Sequence, residues 1–181
     1  MRPGSKTLAA LWGFAEATLF FVVPDVLLTG LALRSLKRAL CAALVAALAA
    51  AVGGALIWTC AHYAPHTSRS VLLQVPGISE NTFATVQLYL ESGLFQGMLR
   101  GAFSGVPYKI FAAEAGMNGT SLWVFALLSP LARLPRFVVV CMATWALSRL
   151  AGERLSMGAK VALSLALWVV FYVFYFAMAG W

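Results

Sequence analysis

Residues 8–33 read LAALWGFAEATLFFVVPDVLLTGLAL, an apolar stretch interrupted where a membrane helix should not be. The first part, 8–23, carries Glu16 at its centre; Pro24 and Asp25 then intervene, and only residues 26–33 follow before the basic group Arg34, Lys37 and Arg38. A helix needs about 20 predominantly apolar residues to cross the hydrocarbon core, so neither part spans alone. One reading is a single kinked span, since proline is tolerated in membrane helices. The other is a re-entrant helical hairpin that turns at Pro24 and Asp25 and returns to the side it came from. Irregular backbone at that depth must be buried in protein or line a wet cavity. The same shape recurs at 102–117, AFSGVPYKIFAAEAGM: a short apolar rise, Gly105 and Pro107, a charge at Lys109, and a fall to Gly116.

Composition agrees that the solvent is lipid. Of 181 residues, 62% are hydrophobic and 10% charged, against about 45–50% and about 25% in soluble domains. That excludes an ordinary soluble enzyme, a disordered chain and a disulfide scaffold. Cys41, Cys60 and Cys141 stand singly in apolar runs and read as inert thiols. Three segments are long enough to span: 39–61, 161–181, and 120–148. The last carries Arg133, Arg136, Pro130 and Pro135, and the chain closes on Trp181, a residue favoured at the membrane interface.

Thirteen Lys and Arg against six Asp and Glu give a net charge of +7, read here as topology-setting charge and not as a nucleic-acid surface. The tail (Arg2, Lys6) and the 34–38 loop are both basic and so share the cytoplasmic side, which a re-entrant 8–33 permits and a full span does not. Residues 39–61 then exit, 102–117 re-enter from outside, 120–148 return, and Arg149, Arg154 and Lys160 lie inside. A secretory signal peptide fits less well: Glu16 interrupts the apolar region, and no small-x-small site precedes Arg34. The expected fold is all-α and integral to the membrane, an inverted repeat of two re-entrant hairpins, each followed by a transmembrane helix. Its single polytopic domain comprises repeat 1 (8–61), a linker and helix (62–101), repeat 2 (102–150) and a last span (161–181). Inverted repeats with broken helices are the signature of secondary transporters.

Residues 81–101 read as one helix, capped by Asn81 or Thr82, with the apolar stripe Phe83, Val86, Leu90, Leu94 and Met98. Gly93, Gly97, Gly101 and Gly105 recur every four residues, a ridge suited to close helix packing and, through Gly93, Gly97 and Gly101, to a homo-oligomer contact.

Charges at membrane depth cost about 2.5–3.5 kcal/mol on insertion scales and are functional or paired. Glu16, Asp25, Lys109, Glu114, Arg133 and Arg136 qualify. Arg133 and Arg136 are three apart, so they share a helix face and can fork a phosphate. Glu16 and Asp25 either pair with them or carry protons; the blander reading makes the whole set buried ion pairs that hold hairpins to spans. Other chemistries find less support. Ser104 has no base within a span to activate it. His62 and His66 have metal-ligand spacing, but Pro65 breaks the helix between them and no third ligand is near. No enzyme activity, metal or cofactor is expected, and a non-transporting scaffold is the alternative to a transporter.

Glu16 and Asp25 at this spacing, with Pro24 before the second acid and Leu27, Leu28 and Gly30 after it, resemble the first-hairpin motif of the DedA (SNARE-associated Golgi, or VTT-domain) family. Residues 103–109, FSGVPYK, with Ala115 and Gly116, resemble its second hairpin, and Arg133-x-x-Arg136-Phe137 is similar to a segment of its short, YqaA-like branch. The likeness covers about residues 10–150. Two features depart from the pattern: the bases near the second-hairpin proline are Arg100 and Lys109, differently spaced, and Ala132 replaces a glycine before the first arginine. The resemblance implies a bacterial inner-membrane protein that moves a lipid-linked phosphate, such as undecaprenyl phosphate or a phospholipid, between leaflets. Arg133, Arg136, Lys109 and Arg100 would hold the phosphate, Glu16 and Asp25 would couple protons, and Pro24, Gly30, Gly105, Pro107 and Gly116 would form the bends. The N-terminus is expected in the cytoplasm and the C-terminus outside.

Overall fold

The structure, a computed structural model, describes residues 3–179. Arg2 and Trp181 lie outside the described residues. All regular structure among them is helical: α1 (Pro3–Ala17), α2 (Asp25–Ala32), α3 (Leu36–Tyr63), α4 (Pro65–Leu72), α5 (Glu80–Leu90), α6 (Leu94–Ser104), α7 (Tyr108–Met117), α8 (Leu122–Ala151) and α9 (Met157–Ala179). Three of these, α3, α8 and α9, are long and apolar enough to cross a membrane, with mean hydropathies of 2.5, 1.7 and 1.9. The chain is a membrane protein on that evidence.

Helices α3 and α8 pack on each other at the centre. Along α3 the inward face is made of small residues, Ala39, Ala42, Ala43, Ala46, Ala47, Ala50, Gly53 and Gly54, all buried. Without a hydrophobic drive between helices in lipid, small faces let backbones approach and gain dispersion contacts. The approach is close: a Cβ on Gly13 of α1 would fall 2.3 Å from the Ala46 carbonyl oxygen, and one on Gly116 of α7 would fall 2.4 Å from that of Trp58. Helix α1 thus lies along α3, α2 is wedged between α3 and α8, α6 lies along α8, and α7 packs on α3.

Several expectations need correction. Residues 81–101 are not one helix: α5 ends at Leu90 and α6 begins at Leu94, because Gly93 adopts φ +99°, a conformation that only glycine takes without strain. The cap of α5 is Ser79, whose N–H donates to Thr82 Oγ1 at 3.1 Å. The arm rising to the second break is therefore α6, which starts at Leu94 and not at 102. The glycine ridge is also not one face. Gly93 and Gly105 are turn residues with positive φ, whereas Gly97 and Gly101 are buried against the Tyr89 backbone and the Phe111 ring. Those two glycines pack within the chain, against α5 and α7. Gly30 and Gly116 are not bends; they lie within α2 and α7, and Gly119, with φ +68°, follows the end of α7 instead. Pro24, Gly105 and Pro107 do stand at the breaks.

Candidate functional site

The two breaks, 18–24 and 105–107, meet at one pocket of about 840 Å³, its open mouth included. Its walls carry Glu16, Lys109, Arg133 and Arg136 among aromatic and aliphatic side chains, with Phe171, Tyr172 and Tyr175 of α9 across it.

Irregular backbone in an apolar surround needs partners for each N–H and C=O. In the first break they come from three other places in the fold. The Phe20 carbonyl accepts from Lys109 Nζ at 2.7 Å, the Val22 carbonyl from Trp12 Nε1 at 2.9 Å, and the Val23 N–H donates to Tyr172 Oη at 2.8 Å. The second break is shorter and built from turn chemistry: Gly105 takes the left-handed conformation at φ +82°, and Pro107, which has no N–H to satisfy, caps α7.

Arg133 and Arg136 do share a face, but their forks turn to different acids. Arg133 Nη2 donates to Glu16 Oε2 at 2.5 Å, and both residues are buried. Its guanidinium stacks over the Tyr108 ring at 4.3 Å, and the Tyr108 hydroxyl donates to Ser129 Oγ at 2.6 Å. Arg136 Nη2 donates to Asp25 Oδ2 at 3.1 Å, while its Nη1 holds the Ala102 carbonyl at 3.0 Å. Asp25 is fully buried as the first residue of α2, where the helix dipole favours a negative charge. Among the described residues, Asp25 Oδ1 and Arg133 Nε are buried without a hydrogen-bond partner.

Lys109 is the exception. It is 2% exposed, it sits in the first turn of α7 where the dipole opposes a cation, and among the described residues it makes no ion pair. Its ammonium donates to the neutral Phe20 carbonyl. The cluster therefore holds three cations, Lys109, Arg133 and Arg136, against two acids, Glu16 and Asp25. Such a site favours an anion.

Of the predicted residues, Glu16, Asp25, Lys109, Arg133 and Arg136 come together. Arg100 does not: it is exposed on α6 and is absent from the pocket wall. Glu114 lies elsewhere, accepting from Gln87 at 3.1 Å with Arg69 at 3.7 Å, a polar tie among α4, α5 and α7. His62 stacks on Trp58 and sets Nδ1 3.1 Å from the Gly116 carbonyl oxygen, a packing role. Tyr108 and Tyr172 are site residues that sequence reasoning missed. The signal for Tyr108 was its place directly after Pro107; aromatics within α9 carry no such mark.

The chain matches no family model and no solved structure. It is 26% identical over 158 residues to an uncharacterized protein of Haemophilus influenzae, a match that covers 87% of this chain and 79% of that one.

Proposed function

We propose that the protein moves a lipid-linked phosphate across the membrane, binding the phosphate in the pocket where the two breaks meet. The observation that carries this reading is the uncompensated Lys109 beside Arg133 and Arg136, one cation more than the acids present. A phosphate entering there finds a positive surplus in a sheltered setting, and fork-shaped arginine donors suit its oxygens. In the present arrangement Arg133 and Arg136 each give part of the fork to an acid. Protonation of Glu16 or Asp25 would release that part to the phosphate, which links proton uptake to binding. The reciprocal packing supports the inverted-repeat reading, in which both breaks are tips of re-entrant hairpins: α1 on α3 and α6 on α8, with α2 reaching α8 and α7 reaching α3. On that reading, with the basic loops inside, the N-terminus lies in the cytoplasm of a bacterial cell and the C-terminus on the outer side of its inner membrane. The DedA-like motifs agree with the same assignment.

A second reading is favoured by one observation, that both arginines already have carboxylate partners. In it the cluster only fastens α1 and α2 to α8, and the protein is a scaffold. The test is binding of a short-chain polyprenyl phosphate in detergent to wild type, Arg133→Lys and Arg136→Lys. Lysine keeps the charge and loses the planar fork. Weaker binding at equal folded amounts supports the phosphate site; unchanged affinity in both variants overturns it.

A further inference from the structure

Beside the charged pocket lies a second hollow, about 1260 Å³ with its open mouth included, and its lining is aliphatic and aromatic: Val22 and Val26 on one side, and Leu165, Trp168, Val169, Val173 and other α9 residues on the other. It follows α9 from Leu165 to Ala177, a length of about 18 Å at the helical rise. The two spaces share a boundary. Tyr172 lines both, and the neighbouring residues Val23 and Val22 line the pocket and the groove respectively. The Tyr172 hydroxyl accepts the Val23 N–H at that boundary.

Among the described residues, α9 is the span whose most apolar stretch is not buried in the protein. Its ties to the first repeat include the Tyr172 bond, the Trp168 Nε1 donation to Thr29 Oγ1 at 3.0 Å and the edge-to-face contact of Phe21 with Phe176. The groove thus opens toward lipid while its inner end meets a cationic pocket.

We infer that the groove between α2 and α9 holds the hydrocarbon chain of the lipid whose phosphate occupies the Lys109–Arg133–Arg136 pocket, with Tyr172 marking the join between head and chain. This rests on the phosphate reading and deepens it by assigning a chain subsite. The order of surfaces matches an anionic amphiphile, a cationic end followed by an apolar slot. A water-soluble phosphate would leave the slot without use.

The test compares hexyl and decyl phosphate, which share one head, binding to the full chain at fixed detergent concentration. Wild type, Val169→Trp and Leu163→Trp are measured; Val169 lines the groove, Leu163 is exposed on the same helix and does not. Each methylene that enters an apolar site is worth about fourfold in affinity. The expected result is decyl phosphate at least about tenfold tighter than hexyl phosphate in wild type and in Leu163→Trp. In Val169→Trp that preference falls by about tenfold, because decyl phosphate, with more chain in the groove, loses more affinity than hexyl phosphate. An unchanged decyl preference in Val169→Trp overturns the chain subsite and leaves the phosphate site standing. Equal loss in Leu163→Trp also overturns it, because the chain then contacts α9 as ordinary surrounding lipid. No binding of either phosphate to wild type overturns the phosphate reading itself.

Discussion

Residues 18–24 and 105–107 both interrupt helices beside the same pocket, and both are followed by a helix that starts directly after a proline, Pro24 before Asp25 and Pro107 before Tyr108. Beyond that they differ. The long break is bounded by acids, Glu16 in the last turn of α1 and Asp25 at the start of α2, and it borrows hydrogen-bond partners from Trp12, Lys109 and Tyr172. The short break carries no acid and turns on Gly105 and Pro107. A short break can be specified by its own residues; a long one in an apolar medium must be held from outside. The first break therefore depends on the rest of the fold, which makes it the part able to change when a neighbour changes its charge.

The harshest way to break this contrast is to remove one member of the buried pair that fastens the long break. Arg133→Met leaves Glu16 buried without its partner, at a cost of about 3–5 kcal/mol. Replacing both, Glu16→Gln with Arg133→Met, should recover much of that stability, since the uncompensated charge is gone. Thermal unfolding in detergent measures the two variants. A double variant no more stable than Arg133→Met would show that the pair is not the fastening. Phosphate binding should stay lost in the double variant, which separates the site from its scaffold.

Lys109→Met tests the link between the breaks. The Phe20 carbonyl loses its partner, for about 1–3 kcal/mol, and the pocket loses its surplus cation. Binding of a short-chain polyprenyl phosphate should fall by more than the stability change alone explains. Retained affinity would move the anion elsewhere.

Much of the architecture was legible because membrane spans obey a length rule. The charge-free run 39–61 became α3, 36–63, with only its ends extended. The prolines and glycine at the breaks, Pro24, Gly105 and Pro107, were legible as local signals, but 18–23, read as part of the first apolar arm, lies in the first break, and Asp25, read as part of the turn, begins α2. What sequence could not give was which arginine meets which acid. Glu16 with Arg133 and Asp25 with Arg136 is a result of how α1, α2 and α8 pack, and spacing along one helix says nothing of it. The division of residues 81–101 was hidden for a related reason: the stripe Phe83, Val86, Leu90, Leu94 and Met98 keeps helical spacing across the Gly93 turn. Tyr172 was invisible because an aromatic in a span reads as lipid-facing until its hydroxyl is seen at the Val23 N–H.

Gly105→Ala probes the short break in isolation. An alanine Cβ there meets no atom within 4 Å, so its cost is conformational and not steric. Holding alanine at φ +82° costs about 1–2 kcal/mol. The contrast predicts that this loss stays local: stability drops by that amount, and the long break, held by its outside partners, keeps its geometry and its phosphate affinity. Tryptophan fluorescence of Trp12, isolated in a variant with the other tryptophans replaced by phenylalanine, reports the long break through the Trp12 bond to the Val22 carbonyl. An altered Trp12 environment in Gly105→Ala would mean that the two breaks move as one unit.

The smallest expected effect belongs to Tyr172→Phe. It removes one hydroxyl and leaves the Val23 N–H without its acceptor at a half-buried position, for about 1 kcal/mol. Stability should barely register this. Helix α9 remains tied through Trp168 to Thr29 and through Lys160, whose Nζ donates to the Ser148 and Gly152 carbonyls at 2.8 and 2.9 Å. What should change is exchange: the Val23 amide gains access to solvent entering the pocket, whereas the Ile110 amide, bonded to the Pro107 carbonyl at 3.1 Å beside the short break, does not. Hydrogen exchange on the purified variant measures both amides together. Faster exchange at Val23 alone is the signature of a long break held from outside by single side chains. Unchanged exchange at both would mean that the long break is held by its own backbone, and the contrast between the two would fail.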